Sequence, residues 1–424
     1  MSTRPGVRLG VFLGGERIGE IERRGPSRYR FSYLPGTAPE RASDPVLLSA
    51  SLPVRERPFA PAESAPFFEG LLPEGSVRAA IAKALHFSEE DGFGLLGALG
   101  ADCAGAVAVL QPEAMPAPAG GGRLRRLDGG ELARLVEDLP RHPLGVDSRA
   151  DGVRLSLGGV QHKLVLAGSP WQGFSQPLEG APSTCLLKPE LGPYEGLVAN
   201  EAFCMKATDS ARIRTSSTWN FDVGSIPCLY VERFDRAHDA AGNVVRVHQE
   251  DMCQALGILP SGKYEDNGGP SVRRIVELIR SLRGRFMARD INDFVHAVLV
   301  NFLLGNSDAH GKNFALLYEP GSGVRLAPAY DVVSTAVYPD LTTRMAMSIG
   351  GIDDPAGVGM DAWVALAEEC AFGGGMVTLV RRRTAALLRS VELWRDVSRR
   401  EGWHSPVIDA IIDICHQRAA QLTG

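Results

Sequence analysis

Oxygen-bearing side chains between residues 301 and 334 have a spacing that suits phosphoryl transfer. Asp308 and Asn313 are five residues apart in a short polar stretch, and Asp331 follows further along the chain. A phosphoryl transferase needs a carboxylate beside the acceptor hydroxyl and oxygen ligands for the Mg²⁺ that bridges the phosphates. Protein kinases separate their catalytic Asp and metal-binding Asn by five residues, with another Asp on a later strand. The pattern therefore predicts a catalytic loop, although a polar turn that caps a helix would also explain Asp308 taken alone.

The elements that must position this loop are predicted from hydrophobic periodicity. Apolar residues recur every three or four positions over residues 291–304, which predicts a helix with one buried face. Gly305 is expected to end that helix, because glycine tolerates the positive φ common at helix C-termini. Residues 314–318 and 324–330 are predicted to be strands joined by a turn, with Asp331 at the end of the second strand.

A second informative stretch covers residues 153–167. Strands are predicted at 153–156 and 163–167, with Gly158 and Gly159 in the loop between them. Glycines let a backbone turn tightly and approach phosphate oxygens, so the loop could cover a nucleotide. A plain β-turn explains the same residues, and the Walker-type spacing of a P-loop is absent.

Further candidates lie on the strands and helix that follow. Lys188 ends an apolar strand, where kinases place the lysine that holds phosphates, but lysines commonly end strands. Glu201, on a helix predicted over 195–208, is either the acidic partner of Lys188 or a solvated helix residue. An apolar strand is predicted over 226–234. In a two-lobed kinase such a strand leads into the hinge, whose backbone meets the adenine edge. Arg233, Asp235 and Arg236 could instead form a surface charge cluster.

Composition limits the class of protein. The chain has 424 residues, 44% hydrophobic and 22% charged, with a net charge of −5. This favours a globular protein of two or three domains and argues against a nucleic-acid-binding chain, which usually has a basic domain. No signal peptide and no apolar run near the ~20 residues of a membrane span are found. Seven widely spaced cysteines without a C-x-x-C pair favour buried free thiols in a reducing cytoplasm and give no sign of a zinc site.

The remaining patterns predict an α+β chain. Residues 7–34 alternate as an antiparallel meander, helices are predicted at 67–85, 93–99 and 124–139, and a strand at 106–110. Residues 115–122 are rich in Pro and Gly, as linkers are. Helical periodicity dominates from residue 248 onward, and Arg381, Arg382 and Arg383 are expected on a solvated helix face. We therefore predict an N-terminal subdomain (1–115), a strand-rich domain (123–237) and a helical domain (238–424).

Six segments in this order carry a family resemblance. They are Ser-Leu-Gly-Gly-Val-Gln-His-Lys at 156–163, Leu-Leu-Lys-Pro at 186–189, Asn-Glu at 200–201, Val-Glu-Arg-Phe-Asp-Arg at 231–236, Gly-Asn-Ser-Asp-Ala-His-Gly-Lys-Asn at 305–313 and Tyr-Asp-Val-Val-Ser at 330–334. The chain resembles the HipA family of serine/threonine kinase toxins from bacterial toxin–antitoxin pairs. The resemblance covers nearly the whole chain, and the 305–313 segment is its most specific part.

The resemblance implies a two-lobed protein-kinase-like fold: a strand-rich N-lobe with an extra N-terminal subdomain, and a mostly helical C-lobe. It implies that Asp308 is the catalytic base and that Asn313 and Asp331 bind Mg²⁺. ATP would be bound by Ser156, Leu157, Gly158, Gly159, Val160, Gln161, His162, Lys163, Lys188, Glu232, Phe234, His310, Lys312, Asn313 and Asp331. Val-Val-Ser follows Asp331 where ordinary protein kinases have Phe-Gly, so regulation by a Phe flip is not expected.

The resemblance also implies partners and regulation. Ser156 matches the serine that such kinases autophosphorylate to switch themselves off, although a solvent-facing strand hydroxyl would look the same. The expected partner is a HipB-like helix-turn-helix antitoxin that binds operator DNA, so this chain would meet DNA only indirectly, and no membrane. The expected substrate is a translation component such as an aminoacyl-tRNA synthetase. A small-molecule kinase and a non-catalytic co-repressor are the alternatives.

Overall fold

The computed structural model describes residues 7–37, 46–118, 121–142, 162–319 and 323–422. Within these ranges the chain forms two compact units. The first unit contains the chain up to Leu191 together with Phe221–Ser261 and Leu316–Gly323, and the second contains Gly192–Asn220, Gly262–Ala315 and Val324–Gly424. The division into 1–115, 123–237 and 238–424 stays a prediction. None of the described helices is both long and apolar enough to span a membrane.

The first unit begins with the predicted meander. Strands β1 (Arg8–Leu13), β2 (Glu16–Gly25), β3 (Arg28–Tyr33) and β4 (Val107–Leu110) form a sheet in the order β3-β2-β1-β4. Gly14 and Gly15 join β1 to β2 with φ of 58° and 92°, as a two-residue hairpin turn requires. Helices α1 (Pro61–Gly70), α2 (Gly75–Ala84) and α3 (Gly92–Leu99) follow β3 in the chain, and their apolar side chains join those of the sheet in one buried core.

One helix was predicted over 67–85, and the structure contradicts this. Helix α1 ends at Gly70 and α2 begins at Gly75, with Pro73 between them. Proline has no N–H to donate and disfavours helical φ and ψ in the residue before it, so the helix is interrupted there.

A second sheet of the first unit contains the predicted phosphate-binding lysine. Its strands are β5 (Arg123–Arg126), β6 (Leu164–Ser169), β7 (Gly173–Leu178), β8 (Cys185–Pro189), β9 (Thr218–Val223) and β10 (Ile226–Glu232), in the order β5-β7-β6-β8-β10-β9. The short strands β11 (Arg236–His238) and β12 (Val244–Arg246) form a hairpin. Strand β13 (His248–Asp251) leads into α6 (Met252–Ala255) and pairs with β14 (Ala315–Glu319).

The helix predicted over 124–139 is also wrong in its first part. Residues Arg123–Arg126 form β5, and the helix α4 spans Gly129–Glu137. The Asp128 carboxylate accepts from the Glu131 amide (2.8 Å) and the Glu131 carboxylate accepts from the Asp128 amide (3.0 Å). This capping box stops the helix from extending back into the strand.

The second unit is helical. It contains α5 (Leu197–Ser210), α7 (Val272–Ser281), α8 (Met287–Leu304), α9 (Met360–Glu369), α10 (Met376–Glu401) and α11 (Pro406–Gln421). Helix α10 packs against α5, α8, α9 and α11. On α10, Arg381 and Arg382 are exposed as expected, whereas Arg383 is half-buried. All seven cysteines of the chain are free and buried, which confirms the prediction for the thiols.

Strand β15 (Gly323–Leu326) is shorter than predicted. It ends at Leu326 rather than at residue 330, so Asp331 lies in a loop and not at a strand end. Asp331 has a φ of 60°, a left-handed conformation that strands exclude.

Candidate active site

The polar loop of residues 305–313 follows α8, as the sequence predicts. Gly305 ends the helix with a φ of 81°. A Cβ on Gly305 would lie 2.9 Å from Ser334 Oγ and 3.1 Å from Ala336 Cβ. Glycine is therefore required both for the backbone conformation and for the close approach of the chain around residue 334.

Asp308 is held on several sides within this loop. Its Oδ1 accepts a hydrogen bond of 2.7 Å from Tyr264 Oη, and its amide donates to Asn306 Oδ1 at 3.1 Å. The His310 ring lies edge-on to Tyr264, with 5.2 Å between ring centroids, and His310 Nε2 is 4.0 Å from Asp308 Oδ2. The Asp308 side chain is nevertheless 49% exposed. It is thus an oriented carboxylate that solvent or a substrate can reach.

The loop is anchored to the rest of the second unit by side chains on both flanks. Asn306 Nδ2 donates to Asn301 Oδ1 on α8 at 2.7 Å. The Ser307 amide donates to Thr335 Oγ1 at 2.8 Å, and Ser307 Oγ donates to the Thr343 carbonyl at 2.9 Å. These bonds fix the backbone immediately before Asp308.

Asn313 is oriented by the same loop. Residues Gly311–Asn313 form a 3-10 turn. Asn313 Nδ2 donates to the backbone carbonyl of Asp308 at 3.0 Å, so its amide oxygen is the atom presented to a ligand. Carbonyl and carboxylate oxygens are the ligands that Mg²⁺ takes from proteins, and Asn313 fits that requirement.

Asp331 is tied to this loop through its neighbour in sequence. Tyr330 Oη donates to the Lys312 carbonyl at 2.7 Å. On the other side, Asn200 on α5 exchanges two hydrogen bonds with the backbone of Ser334, of 2.8 Å and 2.9 Å. The segment that carries Asp331 is therefore held at both ends, and the second unit brings Asp308, Asn313 and Asp331 onto adjoining segments.

The predicted nucleotide residues of the first unit lie on neighbouring strands. Lys188 on β8 is 7% exposed and pairs with Leu229 on β10. Leu164 on β6 pairs with Leu187, which brings Lys163 to the end of β8 that carries Lys188. Both lysines are buried, at adjacent ends of β6 and β8.

The predicted hinge residues come at the end of β10. Glu232, the last residue of β10, is exposed and pairs with Cys185, and Phe234 is half-buried. Within the phosphate-covering loop, residues 156–161 lie outside the described part of the chain, as does the strand predicted at 153–156. His162, at the loop's end, is half-buried.

Two of the open alternatives are resolved by burial. Glu201 is 3% exposed, so it is not a solvated helix residue. Arg233 and Asp235 are 5% and 2% exposed, so the charged residues 233–236 are not a surface cluster. Asp102, from a distant part of the chain, helps to balance their charges inside the protein, which a local sequence pattern cannot reveal.

Tyr264, Asn306, Thr335 and Asn200 complete the site but were not predicted as site residues. Asn306 lies two residues before Asp308, and Asn200 belongs to a quoted motif, so both could have been proposed from their positions. Tyr264 is 44 residues from Asp308 in sequence and carries no local signal of its role.

Comparison with known proteins identifies the family. A model described as the HipA-like C-terminal domain matches residues 155–395, and one described as the HipA N-terminal domain matches residues 9–110. The chain belongs to the HipA family. Its resemblance to that family, inferred from six motifs, is thereby confirmed.

Individual HipA relatives extend over most of the chain. "Putative kinase Y4mE" of Sinorhizobium fredii is 38% identical over 385 residues, which cover 90% of this chain and 89% of that protein. The serine/threonine-protein kinase toxin HipA of Shewanella oneidensis is 33% identical over 305 residues, covering 68% and 67% of the two chains.

The fold agrees with that of a solved HipA structure. The chain superposes with a TM-score of 0.80 and 25% identity on a chain of the Shewanella oneidensis MR-1 HipA, HipB and operator DNA complex, covering 98% of this chain and 97% of that one. The predicted α+β, kinase-like fold is thus confirmed.

Proposed function

We propose that this chain is an ATP-dependent serine/threonine protein kinase that acts as the toxin of a HipA/HipB-like pair. The geometry of Asp308 supports the proposal most strongly. Tyr264 occupies one carboxylate oxygen, while the side chain stays half exposed, as a base that must reach an acceptor hydroxyl requires. Relatives named as kinases support the same activity.

Asp308 would orient the acceptor hydroxyl and take its proton on Oδ2. The hydroxyl oxygen would then bond to the γ-phosphorus as the bond from that phosphorus to the leaving ADP breaks. Asn313 Oδ1 and the Asp331 carboxylate would hold the Mg²⁺. When bound, ATP would supply the phosphoryl group and Mg²⁺ would neutralise the negative charge of the phosphates. Strain at the left-handed Asp331 fits a position selected for a ligand rather than for packing.

In the first unit, Lys188 and Lys163 would hold ATP phosphates. Glu232 and Phe234 would meet the adenine edge. Residues 157–163 would cover the phosphates, with His310 and Lys312 contributing beside the catalytic loop. The buried lysine pair at the ends of β6 and β8 fits a polyanionic ligand.

Purified Asp308→Ala protein tests the chemistry. We expect loss of phosphoryl transfer with an unchanged melting temperature, because a half-exposed loop carboxylate contributes to the transition state more than to packing. Asp340→Ala is the matched control, since Asp340 is an exposed loop carboxylate in the same unit. Normal turnover by Asp308→Ala protein would refute the assignment.

The substrate we propose is a translation component such as an aminoacyl-tRNA synthetase. We propose that the kinase acts in the cytoplasm. Phosphoproteomics after brief expression of wild type and of Asp308→Ala protein tests this. A phosphorylated small hydroxyl compound in place of a protein would favour a small-molecule kinase instead. Repression without phosphoryl transfer would favour a co-repressor.

We further propose a HipB-like antitoxin as partner, by analogy with the complex that contains HipA, HipB and operator DNA. Autophosphorylation of Ser156 would add ~1.5 to 2 negative charges beside the ATP phosphates and switch the kinase off. Intact mass and ATP binding, measured on wild type and Ser156→Ala after incubation with Mg·ATP, test the switch. Wild type that gains no phosphate at Ser156, or that still binds ATP fully once phosphorylated, would rule it out.

A further inference from the structure

The residues around the proposed adenine contact alternate between two environments. Glu232 is exposed and Phe234 half-buried, whereas Arg233 and Asp235 are 5% and 2% exposed. Residues 234 and 235 form a turn directly after β10. The proposed ATP contacts are the more exposed side of this segment, and Arg233 and Asp235 are its buried side.

The buried side is contacted by Asp102, which comes from the N-terminal part of the chain. Asp102 Oδ1 accepts from Arg236 Nη2 at 2.7 Å and lies 3.1 Å from Arg246 Nη2. Asp102 Oδ2 accepts from the amide and the hydroxyl of Ser183, at 3.0 Å and 2.5 Å. Ser183 Oγ in turn accepts from Arg233 Nη1 at 2.8 Å.

The backbone that follows Asp102 contacts the same segment. The Gly105 amide donates to Asp235 Oδ2 at 2.6 Å, and the Gly105 carbonyl accepts from Arg236 Nη1 at 3.1 Å. The Cys103 carbonyl accepts from Arg233 Nη2 at 3.0 Å. Residues 102–105 thus hold all three charged residues of the 233–236 segment.

The charges of this cluster favour one position of the segment 233–236 over others. Three arginines and two aspartates share the cluster, so it has an excess of one positive charge. Burial and the neighbouring Arg233 lower the pKa of Arg236 to about 10, and it still carries its charge at neutral pH. Buried charges are tolerated only when paired and hydrogen-bonded, so few alternative positions of the segment are available.

We infer that residues 102–105 are positioning residues for the nucleotide site, which fix the backbone at 233–236 and thereby the places of Glu232 and Phe234. The inference rests on the proposed function and deepens it, because it makes the N-terminal part of the chain a determinant of ATP affinity. It predicts an effect on the KM for ATP rather than on kcat, since Asp308, Asn313 and Asp331 belong to the second unit.

The full-length Asp102→Asn variant tests this. It keeps the size of the side chain but removes the negative charge that Asp102 presents to Arg236 and Arg246, while Arg236 keeps its contact with Asp235 at 3.0 Å. We expect the KM and the Kd for Mg·ATP to rise about tenfold, with kcat at saturating ATP within about twofold of wild type. Amide hydrogen exchange of the apo protein should accelerate at residues 228–238 and not around Asp308.

Glu69→Gln is the matched control for general loosening. Glu69 is a buried carboxylate of the same unit that accepts from Tyr29 Oη at 2.9 Å and from Arg78 Nη1 at 2.8 Å. Its partners Tyr29 and Arg78 lie outside the segment 228–238. Removing the charge of Glu69 should therefore lower the melting temperature and leave the KM for ATP unchanged. Equal increases in KM for both variants would overturn the inference.

Ser183→Ala serves if Asp102→Asn protein does not fold. It removes the hydroxyl between Asp102 and Arg233 without changing the charge, and we expect a smaller rise in KM of about threefold. Wild-type KM in every folded variant of this cluster would overturn the inference and leave the proposed kinase intact. Wild-type protein that binds no Mg·ATP would instead refute the proposed function, and the inference with it.

Discussion

Tyr264→Phe measures how much the orientation of the proposed base contributes to catalysis. The substitution removes the hydroxyl that donates to Asp308 Oδ1 at 2.7 Å and keeps the ring that lies edge-on to His310. A hydrogen bond to a charged group contributes about 1.5–3 kcal/mol. Because the Asp308 side chain is 49% exposed, water replaces part of the lost bond. We therefore expect the activation free energy to rise by about 1.4 kcal/mol. That corresponds to about a tenfold decrease in kcat.

The assay is steady-state phosphoryl transfer at saturating Mg·ATP, with KM determined in parallel. We expect an unchanged KM for ATP, because the lost bond orients the base and not the nucleotide. Tyr194→Phe is the control: it also removes a hydroxyl from a half-buried tyrosine of the second unit and keeps its ring contact with Tyr338. A kcat for Tyr264→Phe within twofold of wild type would refute the reasoning, as would a further decrease when the change is added to Asp308→Ala.

The other predictions concern the metal, the fold and pH. Asp331→Asn should raise the Mg²⁺ concentration for half-maximal activity at least about tenfold, and activity that persists after exhaustive chelation would contradict the metal role. Gly305→Ala should lower the free energy of unfolding by about 1–3 kcal/mol, measured by urea titration, since its φ is 81° and Ser334 Oγ is close; an unchanged midpoint would count against it. Burial raises the pKa of Glu250 to about 7, so the folded protein keeps a proton that the unfolded chain releases above pH 4.5. The free energy of unfolding should then fall by on the order of 3 kcal/mol between about pH 4.5 and about pH 7, and the melting temperature of Glu250→Gln should vary less over this range than that of wild type. Parallel curves for the two proteins would disprove this.

Local patterns sufficed where neighbouring residues determine the structure. Alternation of apolar and polar residues over 7–34 predicted the first strands, and the helical repeat before Gly305 predicted α8 and its end. The spacing of Asp308 and Asn313 placed both in one loop, because five residues cannot separate them far. The two helices whose ends differ from the prediction have local causes too, since Pro73 interrupts one and the capping box at Asp128 starts the other.

Only the tertiary structure determined which distant residues surround these motifs. Tyr264 reaches Asp308 across 44 positions, and Arg236 meets Asp102 across 134. A charged run such as 233–236 is expected at the surface unless its partners are known, because burial of a charge is favourable only when an opposite charge is supplied. That charge comes from a segment more than a hundred residues away. The sequence therefore determined the chemical groups and their local order, whereas long-range packing determined how each group is oriented and whether it is buried.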